Sequence, residues 1–316
     1  MSEFRTEVVP VLLMQKLSYA DSMLLIGSCF SENMGRKFDH FGFDTLTNPF
    51  GVIFNPISIV NLLQRSLDSR MYTESDLHFD QGRWFCFETH GDMTALTKEE
   101  CLKKHNLALD KAFEFLKKTN CLIITLGSAW VYEHIDLKYI VANCHKVPNK
   151  NFTKRLLSIE EVIRSFQQLI KSFELETLNV KLLFTISPVR HLKDGVVENQ
   201  RSKSILHLVI QQLVDKFEMV DYFPAYEIMM DDLRDYRFYN QDMLHPNQQA
   251  VDYIWEKFRE SSIDNSCLEL MERVDKLRNG LGHRPFNEDD EKHKKFKAKL
   301  ITEVKLVKQL LPSIEL

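Results

Sequence analysis

Two stretches far apart in the chain hold residue types suited to breaking an acyl bond. The first reads Leu25-Ile26-Gly27-Ser28-Cys29-Phe30-Ser31-Glu32-Asn33-Met34-Gly35: an apolar run ends in glycine, small nucleophilic residues follow, and a helix-compatible stretch comes next. A hydroxyl or thiol at that point sits where a helix N-terminus favours negative charge. A thiol there is the stronger nucleophile, because the same field depresses its pKa. Cys29 is therefore the candidate nucleophile and Ser28 the variant. The same residues also fit a plainer role, Cys29 as a small buried hydrophobe and Ser28 as a helix cap.

The second stretch reads Tyr239-Asn240-Gln241-Asp242-Met243-Leu244-His245-Pro246-Asn247, just before a helical run over 248–258. An aspartate three residues before a histidine can set a carboxylate beside an imidazole on one loop. Asp242 would then hold the tautomer and leave the other ring nitrogen of His245 free as a general base. Pro246 suits the first turn of the helix that follows. An Asp-His pair at a helix start is also an ordinary surface feature, so the spacing gains meaning only beside the first stretch.

A third group is Asn143-Cys144-His145-Lys146 with Ser187-Pro188-Val189-Arg190-His191, and His90 in reserve. Arg190 and His191 directly follow an apolar run, where they could face one cleft and bind a carboxylate or phosphate. The alternative pairs Arg190 with Asp194 or Glu227 and leaves the His191 ring exposed. Cys29, Cys144, His145 and His245 are zinc-ligand types, but no two have the close spacing of a zinc site, so no metal is expected. No Gly-x-Gly-x-x-Gly or Walker-type loop is present, and no organic cofactor is expected. The aromatic and charged run from Tyr222 to Tyr239 could stack on bases or sugars; packing of the loop that delivers Asp242 and His245 is the preferred reading.

The elements that must position these residues show in the apolar periodicity. Short runs at 23–27, 121–127, 181–187 and 219–223 have the length of buried strands. Helix-like stretches lie between them at 99–118, at 158–174 behind a Ser158/Glu161 capping box, and at 204–217. That alternation predicts a parallel sheet with helices on both faces, and ligands bind at the carboxyl ends of such strands. Three of the four runs end at the residues singled out above. Residues 44–92, with Asn48-Pro49-Phe50-Gly51, Asn55-Pro56 and Trp84-Phe85-Cys86-Phe87, read as a long irregular excursion over those ends. From 261 onward the composition shifts. Asn279-Gly280-Leu281-Gly282 and Arg284-Pro285 break the pattern, a charged run follows at 288–297, and 292–311 keeps apolar residues at helical spacing.

The 316 residues are 44% hydrophobic and 27% charged, with 41 Lys and Arg against 45 Asp and Glu, a net charge of −4. This is a globular composition, not a disordered or fibrous one. It supplies no overall field for a polyanion, so nucleic acid is not an expected partner. No apolar run is long enough for a membrane span, and the opening MSEFRTEVVPVLLMQKL lacks a small-residue cleavage site, which makes a cytoplasmic location the expectation. Six cysteines without a Cys-x-x-Cys pair read as reduced thiols.

Together, the strand-end Gly-x-nucleophile and the Asp-x-x-His-Pro resemble the SGNH (GDSL-type) hydrolases, with Cys29 at the place of the nucleophilic serine and Asp242 and His245 matching the Asp-x-x-His block. Gly27-Ser28-Cys29-Phe30 looks like the signature of the GSCFA family, a bacterial branch placed near those hydrolases. Asn48-Pro-Phe-Gly51, Asn143-Cys-His145, Ser187-Pro-Val-Arg-His191 and Asp231-Asp-Leu-Arg-Asp-Tyr-Arg-Phe-Tyr239 are similar to that family too. The resemblance spans roughly residues 20–260. It implies a three-layer α/β/α fold with a mostly parallel, flavodoxin-like sheet over 1–260 and a charged helical extension over 261–316.

The resemblance also implies an ester or acyl hydrolase or acyltransferase with a Cys (or Ser)-His-Asp triad, acting on a small-molecule or saccharide ester. Where the hydrolases carry Gly-x-Asn-Asp, this chain reads Gly127-Ser128-Ala129-Trp130. The oxyanion would then be met by backbone amides of Cys29 and Gly51 and by Asn48 or Asn143, with His145, Arg190 and His191 toward substrate. Two rival readings stand. One is a non-catalytic ligand-binding protein on the same fold, and the other is an interaction module docking through its C-terminal helix. Substrate identity and oligomeric state are not written in the sequence.

Overall fold

The computed structural model describes residues 5–282, 291–312, 314 and 316. Five strands form its central sheet: β1 (Ser22–Gly27), β2 (Asp44–Thr47), β3 (Thr119–Leu126), β4 (Lys181–Ile186) and β5 (Val220–Phe223). Their spatial order is β2-β1-β3-β4-β5 and every pairing is parallel. Read along the sheet, the order is 2-1-3-4-5, the flavodoxin-like arrangement whose ligand crevice opens at the strand carboxyl ends. Register is continuous through the centre, Ile26 beside Ile124 and Ile124 beside Phe184.

Strand side chains alternate between two faces, which is why the central strands are apolar throughout. Leu24, Ile26, Leu122, Ile124, Leu182 and Phe184 join one core with α2 (Pro56–Leu67), α3 (Lys98–Leu116), α4 (Ile159–Leu175) and α5 (Val196–Lys216). Met23, Leu25, Cys121, Ile123 and Leu183 join the other, with α1 (Cys29–Phe41) and α6 (Gln248–Ser262). Two helical layers therefore sandwich the sheet. Beyond it, α7 (Leu268–Gly282) and α8 (Glu291–Leu310) share a small core of Val274, Leu277, Val307 and Leu311. His40 of α1 bonds Asp275 of α7 at 2.8 Å.

Several elements differ from the sequence expectation. Residues 44–92 are not an irregular excursion: they contain β2, α2 and a hairpin pairing His78–Asp80 with Arg83–Phe85. Asn55 caps α2 through its side chain, which accepts from Ser58 N at 2.8 Å, with Pro56 in the first turn. Gly280 does not break the helical pattern, because it lies within α7, whose last residue is Gly282; a Cβ at Gly280 would meet Leu300 Cδ2 at 2.7 Å, so the glycine lets α8 approach. Helix α5 begins eight residues earlier than its apolar periodicity suggests, at 196 rather than 204. A three-stranded antiparallel sheet at Trp130–His134, Ile140–Val141 and Phe152–Leu156 went unread. Arg284-Pro285 and the start of the charged run lie outside the described residues.

Candidate active site

The turn after β1 is built by Gly27 and Ser28. Gly27 has φ +148°, and a Cβ there would meet Thr125 O at 2.3 Å, so only glycine lets β1 and β3 run this close at their ends. Ser28 then caps α1: its Oγ accepts from Phe30 N at 3.2 Å and donates to Ser187 Oγ at 2.9 Å, and the residue is buried. Cys29 is the first residue of α1 and half-buried. The backbone amides of Cys29 and Phe30 at the helix start favour its thiolate, although Phe30 N is already donated to Ser28 Oγ. Burial is the larger influence and pushes the thiol up, the Glu32 carboxylate adds to this, and Lys203 acts in the opposite direction. The expected depression by the helix end is thus outweighed by desolvation.

Asp242 and His245 meet as their spacing predicts. Asp242 Oδ2 lies 2.7 Å from His245 Nδ1, and Oδ1 accepts from the backbone amides of Leu244 at 2.8 Å and His245 at 3.0 Å. Those amides, more than the imidazole, hold the carboxyl down at about 2. With the carboxylate at Nδ1, Nε2 is the ring nitrogen left to act as an acceptor. Pro246 is not the first helical residue. Asn247 caps α6 by accepting from Ala250 N at 3.1 Å, which places Pro246 one residue earlier.

The loop after β4 ties the two halves together. Arg190 N donates to Leu244 O at 3.1 Å, docking the Asp242–His245 loop at the carboxyl end of the sheet that also carries Cys29. Neither acid proposed for Arg190 is available: Asp194 pairs with Lys154, and Glu227 bonds His207 and Tyr222. The Arg190 side chain instead reaches the Tyr239 hydroxyl, and its Nε is buried without a partner. His191 is not an exposed ring. It stacks on Phe54 at 5.2 Å, Nε2 is buried without a partner, and burial pushes the ring down to about 3, so it is neutral. Phe54 closes over the same strand ends, its carbonyl accepting from Gly127 N at 2.8 Å.

The oxyanion and substrate candidates separate into two groups. Asn48 ends β2 in the left-handed region at φ +43°; its Oδ1 takes the Gly27 N–H at 2.9 Å, and its Nδ2 is buried without a partner. Gly51 does not offer its amide, which donates to Asn48 O at 2.8 Å; what its missing Cβ provides is room for the His90 ring. Asn143 uses Oδ1 to accept from His145 N at 2.8 Å, and its Nδ2 lies against Gly91 rather than Gly27. His145 is committed elsewhere: Nε2 donates to the carbonyls of Cys86 at 2.9 Å and Thr89 at 3.1 Å, the ring stacks on Phe85, and burial pushes it down to about 4. Among the described residues no group of three or more His, Cys, Asp or Glu side chains is gathered as a metal would need. No described helix is long and apolar enough to cross a membrane. Grooves of about 490 and 620 Å³ flank α5 on the surface and are lined by neither Cys29 nor His245.

One residue beneath the site escaped the sequence reading. Lys203 of α5 is fully buried and donates from Nζ to Ser187 O at 2.7 Å. Its neighbours on α5 anchor the other loops: Asn199 Oδ1 accepts from His191 N at 2.9 Å and Ser202 Oγ from Ala129 N at 2.7 Å. A signal was present, because Asn199, Ser202 and Lys203 occupy the stripe continued by Leu206, Val209, Ile210 and Leu213. A lysine on a core-facing stripe is unusual enough to mark a site.

A family model described as "GSCFA family" matches residues 22–258, and one described as "GSCFA domain protein, C-terminal domain" matches 274–316. No curated protein matches. Among solved structures, a crystal structure of a protein from Bacteroides fragilis NCTC 9343, described there as a "putative acylhydrolase", is similar at 8% identity, covering 82% of this chain and 92% of that one, with a TM-score of 0.40.

Proposed function

The chain belongs to the GSCFA family, and we propose that it is an acyl hydrolase or acyltransferase of the SGNH type in which Cys29 attacks an acyl carbonyl. The observation that carries this reading is the Asp242–His245 pair, with Nδ1 held at 2.7 Å and the loop docked by Arg190 N onto the sheet end where Cys29 begins α1. His245 Nε2 takes the thiol proton, the thioester forms as the leaving group departs with that proton, and water or another acceptor then resolves it. Asp242 stabilises the imidazolium. The backbone amide of Cys29 and Nδ2 of Asn48 meet the oxyanion, in place of the asparagine that Ala129 lacks. Cys29 is preferred over Ser28, whose hydroxyl is buried and spent on Phe30 and Ser187. Arg190, with its buried unpartnered Nε, favours an acyl donor carrying a carboxylate or phosphate. Residues 1–260 form the catalytic body in this reading, and 261–316 an extension packed on α1.

The test is intact-mass detection of an acyl adduct after mixing with an aryl acetate and with an acyl thioester, comparing wild type with Cys29→Ala and His245→Ala. An adduct on Cys29 that forms at least ~100-fold more slowly in His245→Ala supports the reading. Absence of any adduct at Cys29, with a ligand still bound by Cys29→Ala, replaces it with the non-catalytic binding protein.

A further inference from the structure

The loop that carries Asp242 and His245 has two feet. It leaves a π-helical turn, Ile228–Asp232, and enters α6 at Gln248. Arg190 N ties its tip through Leu244 O at 3.1 Å, and within it Asn240 N donates to His245 O and Asn247 N to Phe238 O, both at 2.8 Å. At the feet, the Tyr253 hydroxyl of α6 donates to Asp232 Oδ2 at 2.9 Å, which joins residues on either side of the loop. The Asp232 side chain is fully buried there, and its counter-charge comes from far upstream. Arg5 Nε donates to Asp232 Oδ1 at 2.7 Å, Nη2 of the same guanidinium donates to Asp232 and to the Tyr253 hydroxyl, and the Val8 amide reaches Asp232 Oδ2 at 3.4 Å. Among the described residues no other cation pairs with Asp232. Residues 5–17 run along α6 as a strap: Glu7 pairs with Lys257, Leu13 N donates to Ser261 O at 3.1 Å, Leu17 N donates to Ser262 O at 2.8 Å, and both leucines join the core that α6 shares.

We propose that Arg5 is a positioning residue for the Asp242–His245 loop: its guanidinium clamps Asp232 to Tyr253 and closes the loop at its base, so that the N-terminal strap sets how firmly His245 is presented to Cys29. The planar fork of an arginine reaches a carboxylate and a hydroxyl together, which a lysine ammonium does less well. Without Arg5 the buried carboxylate keeps a hydroxyl and an amide but no cation, and a carboxylate so placed is driven toward water. Asp232 is the residue from which the loop departs, so its movement is passed to the loop directly. The guanidinium is half-exposed, and this contact can open to solvent while Leu13 and Leu17 stay in the core. The effect on catalysis rests on His245 being the base for Cys29; the clamp itself does not.

The experiment is hydrogen exchange of the full chain, read by mass spectrometry on peptides covering 233–247, in wild type, Arg5→Ala, Arg5→Lys and Glu7→Ala, the last removing a neighbouring strap contact that does not touch Asp232. Exchange in 233–247 is expected to be about tenfold faster in Arg5→Ala, partly restored in Arg5→Lys and unchanged in Glu7→Ala, with β3 and β4 unaffected throughout. On the same proteins, the maximal rate of Cys29 acylation by an aryl acetate is expected to fall about tenfold in Arg5→Ala at an unchanged half-saturating concentration, because the ester still binds while the base is misplaced. Unchanged exchange in 233–247 overturns the proposal, and so does an equal rise in Glu7→Ala or in β3 and β4, which would mark a general loss of stability. Faster exchange with an undiminished acylation rate also overturns it. A wild type that forms no adduct on Cys29 sinks the catalytic reading alone, and the exchange result then decides the clamp by itself.

Discussion

Replacing Lys203 by methionine should stabilise the protein at neutral pH, and by an amount that the structure bounds. Burial brings the amine down from 10.5 to about 7. At about 1.4 kcal/mol per unit, a gap of 3.5 units corresponds to roughly 5 kcal/mol of stability lost at and below pH 7 by holding this group in the fold. Methionine removes that loss but orphans the Ser187 carbonyl, which Lys203 Nζ bonds at 2.7 Å. An unsatisfied buried acceptor costs about 1–3 kcal/mol. The net expectation is a gain of roughly 2–4 kcal/mol at pH 7. Between about 7 and 10.5 the unfolded chain holds a proton on this amine that the folded chain has released. Wild-type stability therefore rises with pH across that window through this group, and the advantage of Lys203→Met shrinks to nothing or reverses by pH 10. Urea unfolding of both proteins at pH 7 and pH 10 reads the difference, in which the cysteines and tyrosines titrating nearby cancel. A variant less stable than wild type at pH 7, or a difference independent of pH, would refute the reasoning and point to a counter-charge already permanently paired with Lys203.

Two further outcomes follow from the same loops. Asp242→Asn keeps an acceptor for the amides of Leu244 and His245 but offers an N–H toward His245 Nδ1, which moves the ring proton to Nε2; single-turnover acylation of Cys29 should slow by about 10²–10⁴ with no change in thermal stability beyond a few degrees, and a loss under threefold contradicts the assigned role. His191, neutral and pushed down to about 3, takes up protons only when the chain unfolds, so stability falls as pH drops from about 6.5 toward 3. In His191→Leu that acid-side slope should flatten in urea titrations at pH 7 and pH 4.5, and an unchanged slope would show that the ring is not buried.

The sheet was legible because its central strands are buried on both faces and so read as unbroken apolar runs, Leu24 to Ile26, Leu122 to Ile124 and Leu182 to Phe184. Strand β2 was not legible: Asp44-Thr-Leu-Thr47 is an edge strand of four half-buried residues with no apolar run to announce it. Helix α2 carried its own start signal in Asn55-Pro56, but those residues punctuate loops as readily as they cap helices, and the surrounding Asn48-Pro49 turn favoured the loop. The antiparallel strands after β3 are short and mix aromatic, charged and aliphatic residues, because Val141 and Phe152 join a small core with Phe85 and Phe87 while Val131 joins the main one and the residues between are only half-buried.

In the site, what was legible was local and what was not is a product of packing. Asp242 and His245 stand three residues apart, and one loop suffices to join them; Ser28 and Cys29 are fixed by the strand-to-helix turn that Gly27 permits. Gly51 and His145 had the right chemistry in the wrong surroundings, since only the fold shows that the Gly51 amide is taken by Asn48 O and the His145 ring by two carbonyls. Lys203 is the reverse case. Its charge means nothing until α5 turns one stripe toward the ends of β3 and β4, where the same geometry that aims Leu206 and Val209 into the core drives an ammonium beneath Ser187. A fold does not place an uncompensated charge in such a position at no cost, and burial brings the Lys203 amine down to about 7 as a result.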